Sequence, residues 1–256
     1  MFHSKAQIAA LLSSVLAACG QAAPPVAPAS QEGGYVEPPA IVAATSTSGG
    51  VQLVGSAPAG SLVRLATPQG EALTVSADAG GRWSLVAARD PAGRIFGLSA
   101  RVQGRPVQAE GYVFLGPNGE AALLRAGASA VRLDAPSGPG VASLDLDVAG
   151  GALVSGVAEA GSNVALRLDG GTATEVRSDA NGRFSLSLPR LSVGPHRIEA
   201  VGARLSESLA FEVAPSAPLT KGPMRIVTTA DGLRADWLTP GGGVQTTILP
   251  RAWSSL

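Results

Sequence analysis

Residues 55–85 read GSAPAGSLVRLATPQGEALTVSADAGGRWSL, and residues 156–186 read GVAEAGSNVALRLDGGTATEVRSDANGRFSL. The two stretches align without a gap at an offset of 101. Of the 31 positions 16 are identical, among them Gly60/Gly161, Val63/Val164, Asp78/Asp179, Gly81/Gly182 and Arg82/Arg183. One module is written twice. In the first copy, Ser61–Leu65 and Ala72–Val75 have the length and β-branched content of short strands, with a Pro-Gln-Gly turn between them. In the second, Val164, Leu166 and Leu168 alternate with small or polar residues, as on a half-buried strand. Each copy then places Asp-Ala-(Gly/Asn)-Gly before an aromatic strand. The glycines and Asn181 suit positive φ, and the aspartate can cap its own turn. Trp83 and Phe184 are therefore expected to point into the core, in a chain with few other aromatics to fill one.

Short strands at regular spacing with turn signals predict β-sandwiches. The pattern G-x-A-x-x-G-(S)-x-V followed by D-A-x-G-R-(W/F)-S-L resembles the bacterial Ig-like modules of surface and envelope proteins. The resemblance covers about 41–117 and 150–214, implies a structural or adhesive role, and brings no catalytic residues with it. The expected fold is all-β, with two tandem Ig-like sandwiches and a C-terminal β-hairpin region. The expected segments are 1–18, 19–40, 41–117 (first sandwich), 118–149 (a connecting hairpin and a leading strand), 150–214 (second sandwich) and 215–256. The last segment has turns at Ala230-Asp231-Gly232 and Thr239–Gly243, with Ile226, Leu233, Trp237 and Ile248 as apolar anchors. It either adds strands to the second sandwich or pairs with 112–133 in an extra sheet.

Cys19 is the one cysteine of 256 residues. Before it, His3 and Lys5 form a short positive start, and Ala6–Ala18 is almost wholly apolar. A span needs about 20 apolar residues, so this reads as a cleaved signal peptide rather than a membrane anchor. Leu16-Ala17-Ala18-Cys19 resembles the lipobox of bacterial lipoproteins. That resemblance implies a diacylglycerol on the Cys19 sulfur and cleavage that makes Cys19 the new N-terminus. Gly20, rather than an aspartate, implies sorting to the outer membrane. Each buried methylene of such a tail contributes about 0.8 kcal/mol. From Gly20 to Ala40 five prolines and little apolar surface make a disordered, polyproline-like spacer. It would reach on the order of 40–60 Å at about 3 Å per residue. Without another cysteine, the exported body must be held by its core.

Charge is balanced, with 19 Lys+Arg against 19 Asp+Glu, which offers no field for nucleic acid. Beyond the signal, His196 and Lys221 are the only histidine and lysine. His196 lies where a turn enters a strand, and Lys221 in a Pro-flanked loop; neither is near a nucleophile elbow. No Cys/His cluster supports zinc. Calcium wants several converging carboxylates, whereas Asp78 and Asp179 are single turn residues. Asp145 and Asp147 read as a solvated strand face. No cofactor or metal is expected. Trp237, beside a glycine-rich loop, is the candidate ligand-facing aromatic. The sequence thus points to a non-enzymatic, lipid-anchored envelope scaffold that binds a protein or polysaccharide partner. The alternative is a glycan- or small-ligand-binding lipoprotein using Trp237. A hydrolase would need His196 or a carboxylate pair at a concave site.

Overall fold

Two sandwiches of the same build account for most of the strands. The structure is a computed structural model that describes residues 36–134, 138–215, 217–229 and 232–251. The first sandwich contains β1 (Ala40–Thr47), β2 (Gly50–Ser56), β3 (Leu62–Ala66), β4 (Ala72–Ser76), β5 (Arg82–Ala87), β6 (Arg94–Val102) and β7 (Arg105–Leu115). A short arm follows, with β8 (Ala121–Leu124) and β9 (Val131–Arg132). The second sandwich contains β10 (Gly140–Asp147), β11 (Ala152–Val157), β12 (Asn163–Leu168), β13 (Thr174–Arg177), β14 (Arg183–Leu188), β15 (Gly194–Gly202) and β16 (Leu205–Val213). The chain ends in β17 (Met224–Thr228), β18 (Gly232–Leu238) and β19 (Val244–Pro250).

The sheets follow the duplication. One sheet of the first sandwich has the order β1-β2-β5, and in the second sandwich β10-β11-β14 repeats it. The facing sheets are β4-β3-β6-β7 and β13-β12-β15-β16. The fold is all-β and Ig-like, as expected. The strand leading into the second module, β10, belongs to that sandwich, because it pairs with β11 from Gly140 to Leu146 around one bulge.

The repeated residues build the repeated core. Trp83 and Phe184 are buried, and each lies over a glycine on the neighbouring strand. A Cβ on Gly55 would come within 2.4 Å of the Trp83 ring, and one on Gly156 within 2.4 Å of the Phe184 ring. The duplicated glycine thus makes the space that the duplicated aromatic fills. The Trp83 indole N–H donates to the Ser56 carbonyl at 3.0 Å, so the larger ring brings its polar atom in satisfied. In both turns the aspartate Oδ1 accepts two backbone N–H groups. Gly80 and Arg82 donate to Asp78, each at 2.8 Å. Asn181 and Arg183 donate to Asp179 at 2.8 and 2.9 Å. Gly81 and Gly182 take φ of 74° and 76°, while Asn181 stays at negative φ.

The two regions outside the repeat are used differently from one another. The arm extends the first sandwich, β8 pairing with β7 and β9 with β8. The C-terminal strands extend the second, giving the order β14-β11-β10-β19-β18-β17. The two extensions then meet face to face. Ile95, Phe114, Ala122, Leu124 and Ala130 pack against Leu233, Ala235, Trp237 and Leu249 in a third core. Alternation along the strands makes this possible: Val113, Leu115 and Ala121 face the first core, while Phe114 and Ala122 face the third. The tail therefore adds strands to the second sandwich and also covers 112–124, by packing rather than by pairing. Described residues from Val36 onward form one compact unit.

Candidate functional site

Trp237 sits at the centre of the third core with 0% of its surface exposed, edge-on to Tyr112 at 6.0 Å between ring centroids. That burial overturns the ligand-facing role expected for it. Its strand carries Leu233, Ala235 and Trp237 on one face, and that face is covered by the arm and β6–β7. Cys19 and Trp253 lie outside the described residues, as do the signal segment and the linker up to residue 35.

Asp145 is also corrected, from a solvated strand face to a buried carboxylate, 3% exposed. The face of β10 that carries Ser143 and Asp145 is roofed by the arm, whose Ala130 N–H donates to Asp145 Oδ2 at 2.8 Å. Thr247 Oγ1 donates to Oδ1 at 2.6 Å and Ser143 Oγ to Oδ2 at 2.9 Å. Trp237 sets the direction of this chain. Its indole N–H can only donate, and it meets Thr247 Oγ1 at 3.2 Å, so the threonine proton must go on to Asp145. Burial pushes the Asp145 carboxyl above the ordinary carboxylate range, and the bonds from Thr247, Ala130 and Ser143 pull against that rise. Asp147 does not share this fate. At the strand end its Oδ1 caps the next turn, accepting from Ala149 at 2.7 Å and Gly151 at 2.8 Å.

Gln245 fastens the same junction: its side-chain oxygen accepts from Gly127 N–H at 2.9 Å, and its amide donates to the Arg125 carbonyl at 3.2 Å. Beside this seam a cleft of 570 Å³ opens between arm residues 125–132 and the outer face of β11 and β14. Its polar lining includes Ser129, Ser155, Ser185, Arg125 and Arg183; Leu153, Val157, Val131 and Ala142 supply apolar surface. Ser129 and Ser185 bridge arm and sheet with their hydroxyls 2.9 Å apart.

His196 is anchored rather than poised. Its Nδ1 lies 2.7 Å from Asp169 Oδ2 and its Nε2 2.8 Å from the Ser192 carbonyl, with the ring stacked on Phe211. The Asp169 carboxylate first, and the Ser192 carbonyl second, hold the imidazole above its ordinary value. His196 in turn holds Asp169 below the carboxylate range, helped by the Arg197 N–H. With both ring nitrogens engaged, no nitrogen is left to activate a hydroxyl. Lys221 is exposed in its loop. Asp236, on β18, is a second buried carboxylate, outside the sequence candidates. Burial alone would raise it, but hydrogen bonds from Thr246, Arg225 and Arg234 outweigh that and hold it low. Among the described residues no group of three or more His, Cys, Asp or Glu is placed to hold a metal ion.

The cleft and the buried Asp145 escaped sequence reasoning because both depend on the arm lying over β10 and β11. The one local signal was Ser143-Leu144-Asp145, a polar alternation that a strand covered on both faces does not ordinarily carry.

No protein-family model matches this chain, and no curated protein matches it significantly. Among solved structures, the central fibronectin-III array of RIM-binding protein is similar. Identity is 12% and the TM-score 0.26, over 86% of this chain and 94% of that one. A likeness at that level carries no argument, and the fold class stands on the sheet pairing. The protein is an all-β chain built on two β-sandwiches.

Proposed function

We propose that the protein is a non-enzymatic, lipid-anchored scaffold of the bacterial cell envelope, sorted to the outer membrane, that binds a protein or polymer partner through its Ig-like modules. The lipobox-like Leu16–Cys19 supports the anchor and the proline-rich 20–40 supports a spacer behind it. The observation that carries the scaffold reading is the third core. It welds two sandwiches into one unit while leaving the outer face of β1-β2-β5 uncovered, where Val42 and Val86 are 66% and 51% exposed. Open sheet faces and edges are the docking surfaces such folds offer.

Two measurements test this. Cys19→Ser should leave full-length precursor that takes up no fatty-acid analogue in cells; normal labelling of that variant ends the anchored reading. A photo-crosslinker at Val86 should trap an envelope component in intact cells, and one at Ser187, the equivalent position of the second module, should trap less. Equal capture at both, or none at either, removes the first module's open face as the docking surface.

A further inference from the structure

We propose that the cleft between the arm and the outer face of β11–β14 binds a small organic carboxylate that carries an N–H or O–H donor a few bonds away. Its 570 Å³ lies in the range of about 300–1,000 Å³ typical of small-ligand sites. Arg183 supplies the charge. It stands exposed on the cleft wall, and no acceptor among the described residues takes its guanidinium. The acidic lining residue, Asp179, already spends Oδ1 on the backbone N–H groups of Asn181 and of Arg183 itself, at 2.8 and 2.9 Å. Arg125 is partly spent as well, its Nε and Nη2 donating to the Ser129 carbonyl at 3.0 and 2.7 Å. A planar guanidinium with its fork free matches a carboxylate, which it can hold through two parallel bonds.

The donor requirement comes from the hydroxyl chain behind the wall. Ser143 gives its proton to Asp145 Oδ2, so at 2.8 Å from Ser143 the Ser155 hydroxyl becomes the donor of that pair. Ser155 lines the cleft while only 9% exposed, and with its single proton directed at Ser143 it has only lone pairs to offer a ligand there. Leu153 and Val157 on the floor and Val131 on the arm supply apolar surface for the carbon skeleton of the ligand. The first module shows what this depends on. Arg82 and Ser84 occupy the places of Arg183 and Ser185, but no arm crosses that sheet, and its outer face is open.

Sugar acids and peptide C-termini share this chemistry. The test is a titration of the isotope-labelled full chain, followed by amide NMR, with sodium glucuronate and with N-acetyl-Ala-Ala. Glucose, N-acetyl-Ala-Ala amide and inorganic phosphate serve as comparators. At least one of the two carboxylates should shift amides of 127–131, 153–157 and 183–185, and which one binds tells the sources apart. Losing one charge-assisted contact of about 1.5–3 kcal/mol means that Arg183→Ala should weaken that binding about tenfold or more. Arg82→Ala, at the equivalent place without a cleft, should leave it unchanged. The proposal is overturned if neither carboxylate shifts these amides, if the uncharged counterparts or phosphate bind equally well, or if Arg183→Ala binds like the unaltered chain.

Discussion

The two modules began as one sequence, and the places where they now differ show what turned a duplication into a single body. In the second module the edge strand β10 is continued by β19, with Leu144 opposite Ile248 and Asp145 opposite Thr247. In the first, the equivalent strand β1 donates one main-chain bond on that edge among the described residues, from Ala44 N–H to the Leu133 carbonyl at 3.0 Å. Leu133 and Ile248 each enter the core of the sandwich they border, so both modules close the same gap, one with a single residue and one with a whole strand. The facing sheets show the reverse. The β7 edge is continued by β8, while its counterpart β16 ends its sheet. Each module is thus extended on the sheet where the other is not. Those complementary extensions are what pack against each other in the third core.

The largest effect should come from the residue that holds the extensions together. Trp237→Ala empties the middle of the third core and should cost about 3–5 kcal/mol, the usual range for deleting a buried aromatic. Beyond stability, the change should be qualitative. Chemical denaturation followed by far-UV and Trp83 signals should show one transition in the unaltered chain and two separated transitions in the variant, as the sandwiches lose their coupling. A single transition in the variant would mean that the modules are coupled by something other than this core.

Next comes Asp145, whose counterpart by strand pairing is Thr45, two residues before the end of β1. Asp145→Ala leaves the Ala130 N–H and the Ser143 and Thr247 hydroxyls without their acceptor. A loss of about 2–3 kcal/mol follows from unmade buried hydrogen bonds, offset in part by removing a buried charge. Thr45→Asp places a carboxylate at the equivalent exposed position and should stay within about 0.5 kcal/mol. If the two substitutions cost the same in urea titrations, the arm does not bury this face of β10.

These two residues also mark the limit of what the sequence disclosed. The turns, the core aromatics and the sandwich class were legible because each is set by neighbours within a few residues. Asp78 needs only the N–H groups at 80 and 82. The function of Asp145 and Trp237 is set by contacts about a hundred residues away, such as Thr247 to Asp145. Period-two alternation tells which residues share a face but not whether water or another sheet lies on it. A polar-apolar strand pattern is the same whether its polar face meets water or, as at Asp145, a second layer, and a glycine-rich loop beside Trp237 says nothing of the layer that covers the ring.

A smaller change should leave the modules matched. Asp78→Ala and Asp179→Ala each remove an acceptor from two turn N–H groups in an exposed loop that water can reach. Each should cost about 0.5–1.5 kcal/mol, and the two losses should agree because the geometry is duplicated. Asp179 alone adjoins the cleft, so a larger loss for Asp179→Ala would show that the two turns are not equivalent and that arm docking draws on the second. Thermal midpoints of the two variants decide it.

The smallest effect separates the modules by pH. Strand pairing sets Leu98 opposite Leu65 and Ala200 opposite Leu166, so four residues earlier Arg94 and His196 hold the same place. Each pairs with a carboxylate, Arg94 with Glu71 and His196 with Asp169, but only the histidine titrates near neutrality. Its folded pKa lies above 6.5, so its stabilisation is complete below 6.5 and is lost as pH rises through the folded value. Asp169 is held below 3.8, so its share is present above 3.8 and is lost as pH falls through its lowered value. The pair therefore contributes fully between 3.8 and 6.5. Because Asp169 is open to solvent, the contribution should be below about 1 kcal/mol and should shrink in salt. Denaturant midpoints should drift down as pH climbs past 6.5. His196→Arg, which copies the first module, should abolish that drift. A drift that persists in the variant would place the titrating group elsewhere in the second sandwich.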